Sequence, residues 1–479
     1  MDLHVSIEGR RDLAGQVYRQ IRAAILDGRL GPGQALPSTR DLAGKLALSR
    51  NTVSIAYDRL VAEGFVAGRA GVGTYVSDQI GVPVPGWPEE PATALAHRPE
   101  WDAQTDPIDL SAIAPGYDFR TGMPDARLFP FATWRALVGR QLRPSAAQLG
   151  LYGDPAGHPG LRAAIARHIG VSRAVLAHAE DVLVTNGTQQ ALDLVSRVLL
   201  APGDVVAMED PGYPPAWRVF DASGARVVDI PVDSNGMVVD ALPDNTRLVY
   251  VSPSHQFPLG MRMSLSRRLN LLAWAQRTGA VIVEDDYDCE FGYTGRPVEP
   301  LRSLDRGGRV VYLGSFSKTM LPTLRLGFCV APRSLFGALR KAKYVLDWHT
   351  PLPMQAALAE FIDTGLLARH IRRMRRIYLA RRNQIGICLD RDFGDHLEVA
   401  SSLAGLHLAA WLRSGSTDQA LDVVRRAREF DVEVTALAHF ARAEPLPAGL
   451  VLGYGLISVD RIEEGLRRLR RCFPPVAGA

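Results

Sequence analysis

Short runs of apolar and β-branched residues alternate with amphipathic segments through most of this 479-residue chain. The apolar runs are DVLVT, DVVAME, RLVYVS, AVIVED, VVYLGS and LRLGFCVA, and the segments QQALDLVSRVLL and SRRLNLLAWAQRTG show helical spacing between them. Strands that are connected through helices pair in parallel and are covered by helices on both faces of the sheet. The pattern therefore predicts an α/β domain with a largely parallel sheet over residues 109–479.

Residues 79–108 interrupt the regular patterns of the chain. They are rich in proline and acidic residues and lack helical or strand periodicity, which predicts a semi-rigid linker. A chain of this length is long enough for two or three domains, and 47% hydrophobic with 22% charged residues excludes wholesale disorder. We predict an N-terminal module over residues 1–78, this linker, and the α/β domain.

Several classes of protein are disfavoured. No apolar run approaches the ~20 residues that span a bilayer, and the first residues, MDLHVSIEGRRD, are too polar for a secretory signal. We therefore expect a cytoplasmic protein without a membrane partner. The cysteines Cys289, Cys329, Cys388 and Cys472 lie far apart without CxxC spacing, which disfavours a zinc site and a disulfide framework. We expect reduced, buried thiols and no bound metal.

The N-terminal module has the pattern of three short helices followed by a β-hairpin. The segment LAGQVYRQIRAAIL has apolar residues at helical spacing, Ser38 and Asp41 form a capping box for a second helix, and a third helix begins after Ser49. The segment FVAGRAGVGTYV alternates around glycines, which is typical of a hairpin. This order predicts a winged helix-turn-helix, an α+β fold that binds double-stranded DNA.

In this fold the third helix enters the major groove, and its first turn reaches the base edges. Arg50 and Asn51 are therefore predicted to contact guanine or adenine. Further candidates for DNA contact, to phosphates or the minor groove, are Arg40, Thr52, Ser54, Tyr57, Arg69 and Thr74. The alternative that these polar residues only face water stays open on the pattern alone, since a net charge of +4 does not demand a nucleic-acid partner.

Polar clusters follow the predicted strands of the second domain. They are Asn186-Gly187-Thr188-Gln189, Asp210-Pro211-Gly212-Tyr213, Ser252–Gly260, Glu284-Asp285-Asp286-Tyr287-Asp288 and Ser315-Phe316-Ser317-Lys318. Ligands of open α/β sheets bind beyond the carboxyl ends of the strands. We therefore expect these clusters to meet in one crevice.

Together the clusters supply the groups that pyridoxal 5'-phosphate needs. Lys318 would bond the aldehyde carbon, Asp285 would keep the ring nitrogen protonated, and Tyr287 would hydrogen-bond the phenolate oxygen. Tyr213 would stack on the ring. The predicted phosphate contacts are Gly187, Thr188, Gln189, Ser315, Ser317 and Arg325, the first three at a helix N-terminus.

Two simpler interpretations compete with this one. An acidic metal site at Asp285, Asp286 and Asp288 is possible, but no histidine sits within ligand spacing there. A lysine after a strand is usually a solvated surface charge, and we assign Lys341 and Lys343 to that class. The clustering at strand ends favours a cofactor role for Lys318 instead.

Two stretches of the sequence resemble known families. The string LPSTRDLAGKLALSRNTVSIAYDRLVAEGFVAGRAGVGTYV resembles the GntR family of winged-helix regulators. The strings YGDPAGHPGLR, TNGTQQAL, EDPGYP, PSHQFPLG, VEDDYDCEF and GSFSKTMLPTLRLG resemble a fold type I aminotransferase with its smaller C-terminal subdomain. The combination is similar to the MocR/GabR regulators, which implies the DNA contacts and the cofactor contacts assigned above.

The resemblance also implies an assembly. It implies a head-to-tail homodimer with sites at the subunit interface, in which Tyr152 reaches the phosphate of the neighbouring subunit. Working aminotransferases have an Asn-Pro pair where this chain has Phe257-Pro258, so we expect inefficient transamination. Many relatives place an effector-binding arginine near Leu456.

Without that arginine, a sulfonate, an amine or pyridoxal phosphate itself becomes a more plausible effector than an amino acid. Arg218, Arg262 and His255 are possible substitutes for the missing anchor, although each of the three fits a surface or core position as well.

We predict a pyridoxal-phosphate-dependent transcription regulator rather than an enzyme. A working aminotransferase that carries a DNA-binding module is the alternative, and multiple turnover with an amino acid and a keto acid would favour it. A third possibility is a repressor whose second domain holds no cofactor and only dimerises.

Overall fold

A computed structural model describes residues 5–7, 9, 11–69, 73–78, 101, 115–143, 151–293, 299–402 and 404–474. The chain divides into two compact units, Met1–His97 and Arg98–Ala479. The predicted linker, residues 79–108, lies outside the described residues except for Trp101. Within the described part of the chain, no helix combines the length and the apolar composition needed to cross a membrane.

The first unit has the three helices and the hairpin that the sequence predicts. They are α1 (Leu13–Leu26), α2 (Thr39–Lys45), α3 (Arg50–Ala62), β1 (Val66–Arg69) and β2 (Gly73–Val76). The side chains of Ser38 and Ser49 accept hydrogen bonds from the backbone three residues on and so cap α2 and α3. The strands β1 and β2 pair antiparallel as the wing.

The structure corrects the prediction for Tyr57, which we expected to contact DNA. Its side chain is 4% exposed and packs in the core of the unit with Val53 and Leu60. Its hydroxyl donates to the carbonyl oxygen of Pro37 at 2.9 Å. Tyr57 therefore stabilises the contact between α3 and the segment before α2, because a buried hydroxyl needs this partner.

The second unit contains the α/β domain. Its helices are α4 (Phe131–Gln141), α5 (Pro159–Arg173), α6 (Gly187–Leu199), α7 (Pro214–Ala222), α8 (Leu265–Thr278), α9 (Leu301–Leu304), α10 (Arg333–Asp347), α11 (Leu352–Asp363), α12 (Leu366–Asp392), α13 (Thr417–Glu429) and α14 (Val459–Arg470). Its strands are β3 (Tyr117–Asp118), β4 (Val182–Thr185), β5 (Val205–Asp210), β6 (Arg226–Asp233), β7 (Gly236–Met237), β8 (Thr246–Val251), β9 (Val281–Asp286), β10 (Val310–Ser315), β11 (Gly327–Val330), β12 (Leu397–Val399), β13 (His407–Leu412), β14 (Val432–Glu433), β15 (Thr435–Ala436) and β16 (Gly449–Gly453).

Eight of the described strands form one sheet in the order β4-β11-β10-β9-β8-β5-β6-β7. The central strands from β10 to β6 pair in parallel, as predicted, and helices α6, α7 and α10 cover one face while α4, α5, α8 and α11 cover the other. Strand β11 is antiparallel to both of its neighbours. The reason is that the connection from β10 to β11 is too short for a helical crossover.

The C-terminal part of the unit is the predicted smaller subdomain. Strands β12, β13, β16 and β15 pair antiparallel in that order. Helices α12, α13 and α14 share a hydrophobic core with this sheet, in which Tyr378 and Leu466 are fully buried. The cysteines are free thiols, of which Cys289 is partly exposed and the other three are buried.

Candidate functional site

The carboxyl ends of the parallel strands surround a cavity of about 490 Å³. It lies where ligands bind to open α/β sheets. Nine of the residues predicted from the sequence line it, namely Thr188, Gln189, Tyr213, Asp285, Tyr287, Ser315, Ser317, Lys318 and Arg325. The structure thus brings together groups that are up to 137 residues apart in the sequence.

Lys318 lies in the short connection between β10 and β11. Its Nζ donates a hydrogen bond to the carbonyl oxygen of Gly122 at 2.7 Å. Burial lowers the pKa of the Lys318 amine below its ordinary value, which favours the neutral form that a nucleophilic lysine needs. A Cβ atom at Gly122 would lie 2.8 Å from this Nζ, so the glycine makes room for the lysine. No local sequence pattern pointed to Gly122.

Asp285, the penultimate residue of β9, is 4% exposed and lines the part of the cavity that we call its floor. Its Oδ2 accepts a hydrogen bond from the hydroxyl of Tyr250 at 2.7 Å, whereas its Oδ1 is buried without a hydrogen-bond partner among the described residues. Burial is the main cause that raises the pKa of Asp285 to about 7.

A buried carboxylate oxygen without a donor is costly. A protonated ring nitrogen would supply the missing donor, so the floor of the cavity fits pyridoxal phosphate. Tyr250 is a second contact that sequence reasoning missed, although a tyrosine in the buried strand RLVYVS needs a partner for its hydroxyl.

The hydroxyl of Tyr287 lies 3.0 Å from Nδ1 of His255. The same Nδ1 lies 2.9 Å from the carboxylate of Asp288, and Nε2 of His255 lies 3.1 Å from the hydroxyl of Ser402. Burial raises the pKa of Tyr287 well above its ordinary value. The phenol therefore stays protonated, and its O–H can donate a hydrogen bond to an oxygen in the cavity. His255 orients Tyr287 through these contacts.

The end of the cavity where we expect a phosphate, called its phosphate end below, is formed by the N-terminus of α6 and by Arg325. Nη2 of Arg325 donates to the carbonyl oxygen of Asn186 at 2.9 Å. Gly187 has a φ of +76°, and a Cβ atom there would lie 2.9 Å from this Nη2. A side chain at position 187 would therefore push the guanidinium away from the helix N-terminus, where backbone amides and the helix dipole favour an anion.

A partly buried hydrogen-bond network stabilises the segment at Asn186, directly before α6. The carboxylate of Asp347 accepts hydrogen bonds from Asn186, from Gln190 and from Nζ of Lys343, each at 2.7 Å. Lys343 is fully buried, so its assignment as a solvated surface charge is wrong. The reason is that α10 packs its last turn against α6, where Asp347 neutralises the lysine; Asp347 was not among our predicted site residues.

Tyr213 and Phe257 form an aromatic wall of the cavity, with their ring centroids 5.6 Å apart in an edge-to-face arrangement. Burial raises the pKa of Tyr213 to about 12. Phe257 is buried and also contacts Phe440. The position that carries an amide donor in working aminotransferases is therefore apolar in this chain.

Tyr152 does not line this cavity. Its ring is 72% exposed and stacks on Trp348 at a centroid distance of 3.9 Å. Arg262 lines a separate cavity of about 530 Å³. Leu456 lines neither of these two cavities. Its carbonyl oxygen accepts a hydrogen bond from Arg127 at 2.8 Å.

In the first unit, the predicted base-reading residues lie at the start of α3. The side chains of Arg50 and Asn51 are exposed, as is that of Arg40 on α2. Thr52 contacts the capping hydroxyl of Ser49 at 2.8 Å. Ser54 and Thr74 are partly exposed, while Arg69 lies over the ring of Tyr75 and 3.7 Å from Asp78.

Two family models match the chain. That of the bacterial regulatory proteins of the gntR family matches residues 13–76, and that of the aminotransferases of class I and II matches residues 129–425. The probable rhizopine catabolism regulatory protein MocR of Rhizobium meliloti is 38% identical over 96% of this chain and 93% of its own length. The pyridoxine biosynthesis transcriptional regulator PdxR of Corynebacterium glutamicum is 32% identical over 93% of each chain.

Solved structures resemble the second unit. Kynurenine aminotransferase of Pyrococcus horikoshii has a TM-score of 0.70 and 28% identity, and the match covers 76% of this chain and 91% of the enzyme. The α-aminoadipate aminotransferase LysN of Thermus thermophilus has a TM-score of 0.68 and 32% identity over 74% of this chain and 91% of the enzyme. The second unit therefore has the fold type I aminotransferase fold.

From the raised pKa of Asp285 we predict how the free energy of unfolding of the cofactor-free protein depends on pH. An unfolded chain releases this proton near its ordinary pKa of 3.8, whereas the folded protein keeps it to about 7. The contribution of Asp285 to stability therefore falls as the pH rises from about 4 to about 7. Asp285→Asn removes this effect, so we expect the variant to gain roughly 2–4 kcal/mol relative to the wild type between pH 5 and 8.

Thermal or urea unfolding at several pH values measures the difference. Asp244→Asn, at a side chain that is 83% exposed, is the control and should follow the wild type. A difference between Asp285→Asn and wild type that stays constant from pH 5 to 8 would contradict the assignment.

Proposed function

Since the chain belongs to the MocR/GabR type of GntR-family regulators, we propose that it is a DNA-binding transcription regulator whose aminotransferase-like unit binds pyridoxal 5'-phosphate and senses an amine or the cofactor itself. The observation that carries the proposal is the unpartnered, buried Oδ1 of Asp285 in the same cavity as Lys318. The cofactor supplies an aldehyde for lysine and a ring that withdraws electrons. The chain supplies the groups that hold it.

Each end of the cofactor has a counterpart in the cavity. Asp285 would accept from the ring nitrogen, Tyr287 would donate to the phenolate oxygen, and Tyr213 would stack on the ring. The α6 N-terminus, Ser315, Ser317 and Arg325 would hold the phosphate. The relatives named as regulators cover nearly the whole chain, whereas the solved aminotransferases match about three quarters of it, which supports regulation as the function.

The absorption spectrum of the purified protein with added pyridoxal phosphate tests cofactor binding. We expect the band of the lysine-bound cofactor in the wild type and its loss in Lys318→Ala. Lys341→Ala, at a surface lysine, is the matched control and should keep the band. The absence of the band from the wild type would favour the alternative hypothesis that the second unit holds no cofactor and only dimerises.

We propose that transamination is slow. Phe257 offers no hydrogen-bond donor to the cavity, and its ring packs 6.0 Å from that of Tyr287. Sustained turnover with an amino acid and a keto acid would instead favour the alternative of a working aminotransferase.

We propose that α3 reads DNA through Arg50 and Asn51. Both side chains are exposed and follow the cap at Ser49, as major-groove contacts require. Arg40, Thr52, Ser54, Arg69 and Thr74 would hold phosphates or the minor groove.

Replacing Arg50 or Asn51 with alanine should weaken specific binding by roughly fivefold to 150-fold, since a base contact is worth ~1–3 kcal/mol. Fluorescence anisotropy on the regulated promoter at fixed salt measures this. Arg29→Ala, at an exposed arginine paired with Asp27, should leave specific binding unchanged. Equal losses in all three variants would show that α3 does not read the sequence.

We propose a head-to-tail homodimer in which Tyr152 contributes to the partner's phosphate site. Tyr152, Trp348 and Tyr344 form a contiguous aromatic surface, and Val345 beside it is 84% exposed. Apolar surface of this kind is usually covered by a partner. Sedimentation of a monomer at micromolar concentration would contradict the dimer.

A further inference from the structure

The cavity of about 530 Å³ lies where helices α5, α11 and α12 meet the segments that follow β8 and β9. Five arginines line it, and we therefore call it the arginine cavity: Arg167, Arg173, Arg262, Arg372 and Arg375. It shares no lining residue with the cavity of Asp285 and Lys318, called the cofactor cavity below, whose own arginines are Arg218 and Arg325. The arginine cavity is therefore a separate site.

Two of its five arginines have anionic partners. Nη2 of Arg167 lies 2.7 Å from Oδ1 of Asp363. Nε of Arg173 lies 2.7 Å from the carboxylate of Asp286, and its Nη2 donates to the hydroxyl of Ser254 at 2.8 Å. The charges of these two side chains are balanced within the folded chain.

The other three arginines have no such partner. Within the described part of the chain, the guanidinium groups of Arg262, Arg372 and Arg375 form no hydrogen bond or ion pair. Burial and the neighbouring Arg173 lower the pKa of Arg262 below its ordinary value. A cation that is partly desolvated beside another cation is stabilised by an anion placed between them.

Glu290 is the one carboxylate in this lining that forms no ion pair with a described residue. Its Oε2 accepts a weak hydrogen bond from Sγ of Cys289 at 3.8 Å. Burial raises the pKa of Glu290 to about 7, so this group is only partly ionised at neutral pH. A single carboxylate cannot balance three unpaired arginines, and the lining keeps a positive excess of at least two charges.

We propose that the arginine cavity binds the phosphate group of a small ligand, at a site separate from that of the cofactor. A phosphate monoester carries about −1.5 to −2 charges at neutral pH, which matches the charge excess, whereas a monocarboxylate would leave part of it unbalanced. The planar guanidinium presents paired N–H donors to phosphate oxygens. Arg262, Arg372 and Arg375 supply such donors from two different segments of the fold.

The rest of the lining indicates that the phosphate is part of an ester. The apolar side chains of Val171, Ile362 and Ile371 line the same cavity, and its volume falls within the range of small-molecule sites. A free phosphate ion would leave this apolar surface uncovered. We therefore expect a phosphate monoester with a small apolar group to bind more tightly than inorganic phosphate.

Calorimetry on the full-length protein tests the site with three probes: phenyl phosphate, inorganic phosphate and phenol. The phosphate end of the cofactor cavity also attracts anions, so the titrations are repeated in Arg325→Gln. Binding of phenyl phosphate to the arginine cavity should persist in that variant, and phenol should bind far more weakly.

In the Arg325→Gln background, the further change Arg262→Gln should weaken the binding of phenyl phosphate about tenfold to hundredfold. Arg262→Lys should retain part of the affinity. Arg375→Gln, at an exposed side chain, should weaken binding by a smaller factor because water screens its charge, and it tests the site even if Arg262→Gln fails to fold. Arg376→Gln is the matched control, since this exposed arginine lies on α12 outside the lining, and it should leave binding unchanged.

Tighter binding of phenyl phosphate than of inorganic phosphate would support the site and assign an ester, and equal binding would support the site and assign the free ion. The proposal is overturned if neither compound binds to Arg325→Gln, if phenol binds as tightly as phenyl phosphate, or if Arg262→Gln and Arg375→Gln change nothing. An equal loss in Arg376→Gln would also overturn it, because the anion would then be attracted by the whole basic surface of α12. So would variants Arg262→Gln and Arg375→Gln that weaken binding of DNA and leave that of phenyl phosphate unchanged, because the cavity would then belong to a surface for the DNA backbone.

Discussion

The desolvated carboxyl group of Asp285 is the constraint around which the cavity is arranged. Burial raises its pKa to about 7, and the neighbouring Asp286 would raise it further without Arg173, whose Nε lies 2.7 Å from the Asp286 carboxylate. This ion pair removes one negative charge from the end of β9. Tyr250 satisfies one oxygen of Asp285 and leaves the other to a cation. Under the proposed function, a protonated ring nitrogen would supply the donor that this second oxygen lacks.

The opposite end of the cavity is prepared in the same way for an anion. Asp347 fixes Asn186 from behind, Asn186 holds Arg325 through its carbonyl oxygen, and the missing side chain at Gly187 permits the approach. Because these contacts form within the folded chain, little conformational entropy is lost when a phosphate binds. The ion pair with Asp347 offsets the cost of burying Lys343. Lys343 in turn neutralises the carboxylate that holds Asn186, although it does not line the cavity.

The sequence was sufficient for the fold and for nine of the residues that line the cavity, because polar clusters at the ends of parallel strands must converge. It failed where a side chain's role depends on which helix packs beside it. Lys343 and Lys341 look alike in the segment LRKAKYV, yet Lys343 faces α6 whereas Lys341 faces solvent.

Tyr57 is a different kind of error. We predicted a DNA contact for it, although its helical spacing with Val53 and Leu60 already placed it on the inner face of the helix. Gly122 contacts Lys318 across 196 residues, and no local pattern encodes such a pairing.

The walls of the cavity come from both subdomains of the second unit. Tyr213 and Lys318 belong to the large sheet and its helices, whereas His407 lies on β13 of the smaller sheet. A ligand shifts a conformational equilibrium only by the difference between its affinities for the two states. A molecule that contacts both subdomains would therefore favour arrangements in which they lie close together. A ligand confined to the phosphate end contacts one subdomain and lacks this difference. Under the proposed function, an effector that also reaches His407 would therefore act on the arrangement of the subdomains more strongly than the phosphate contacts do.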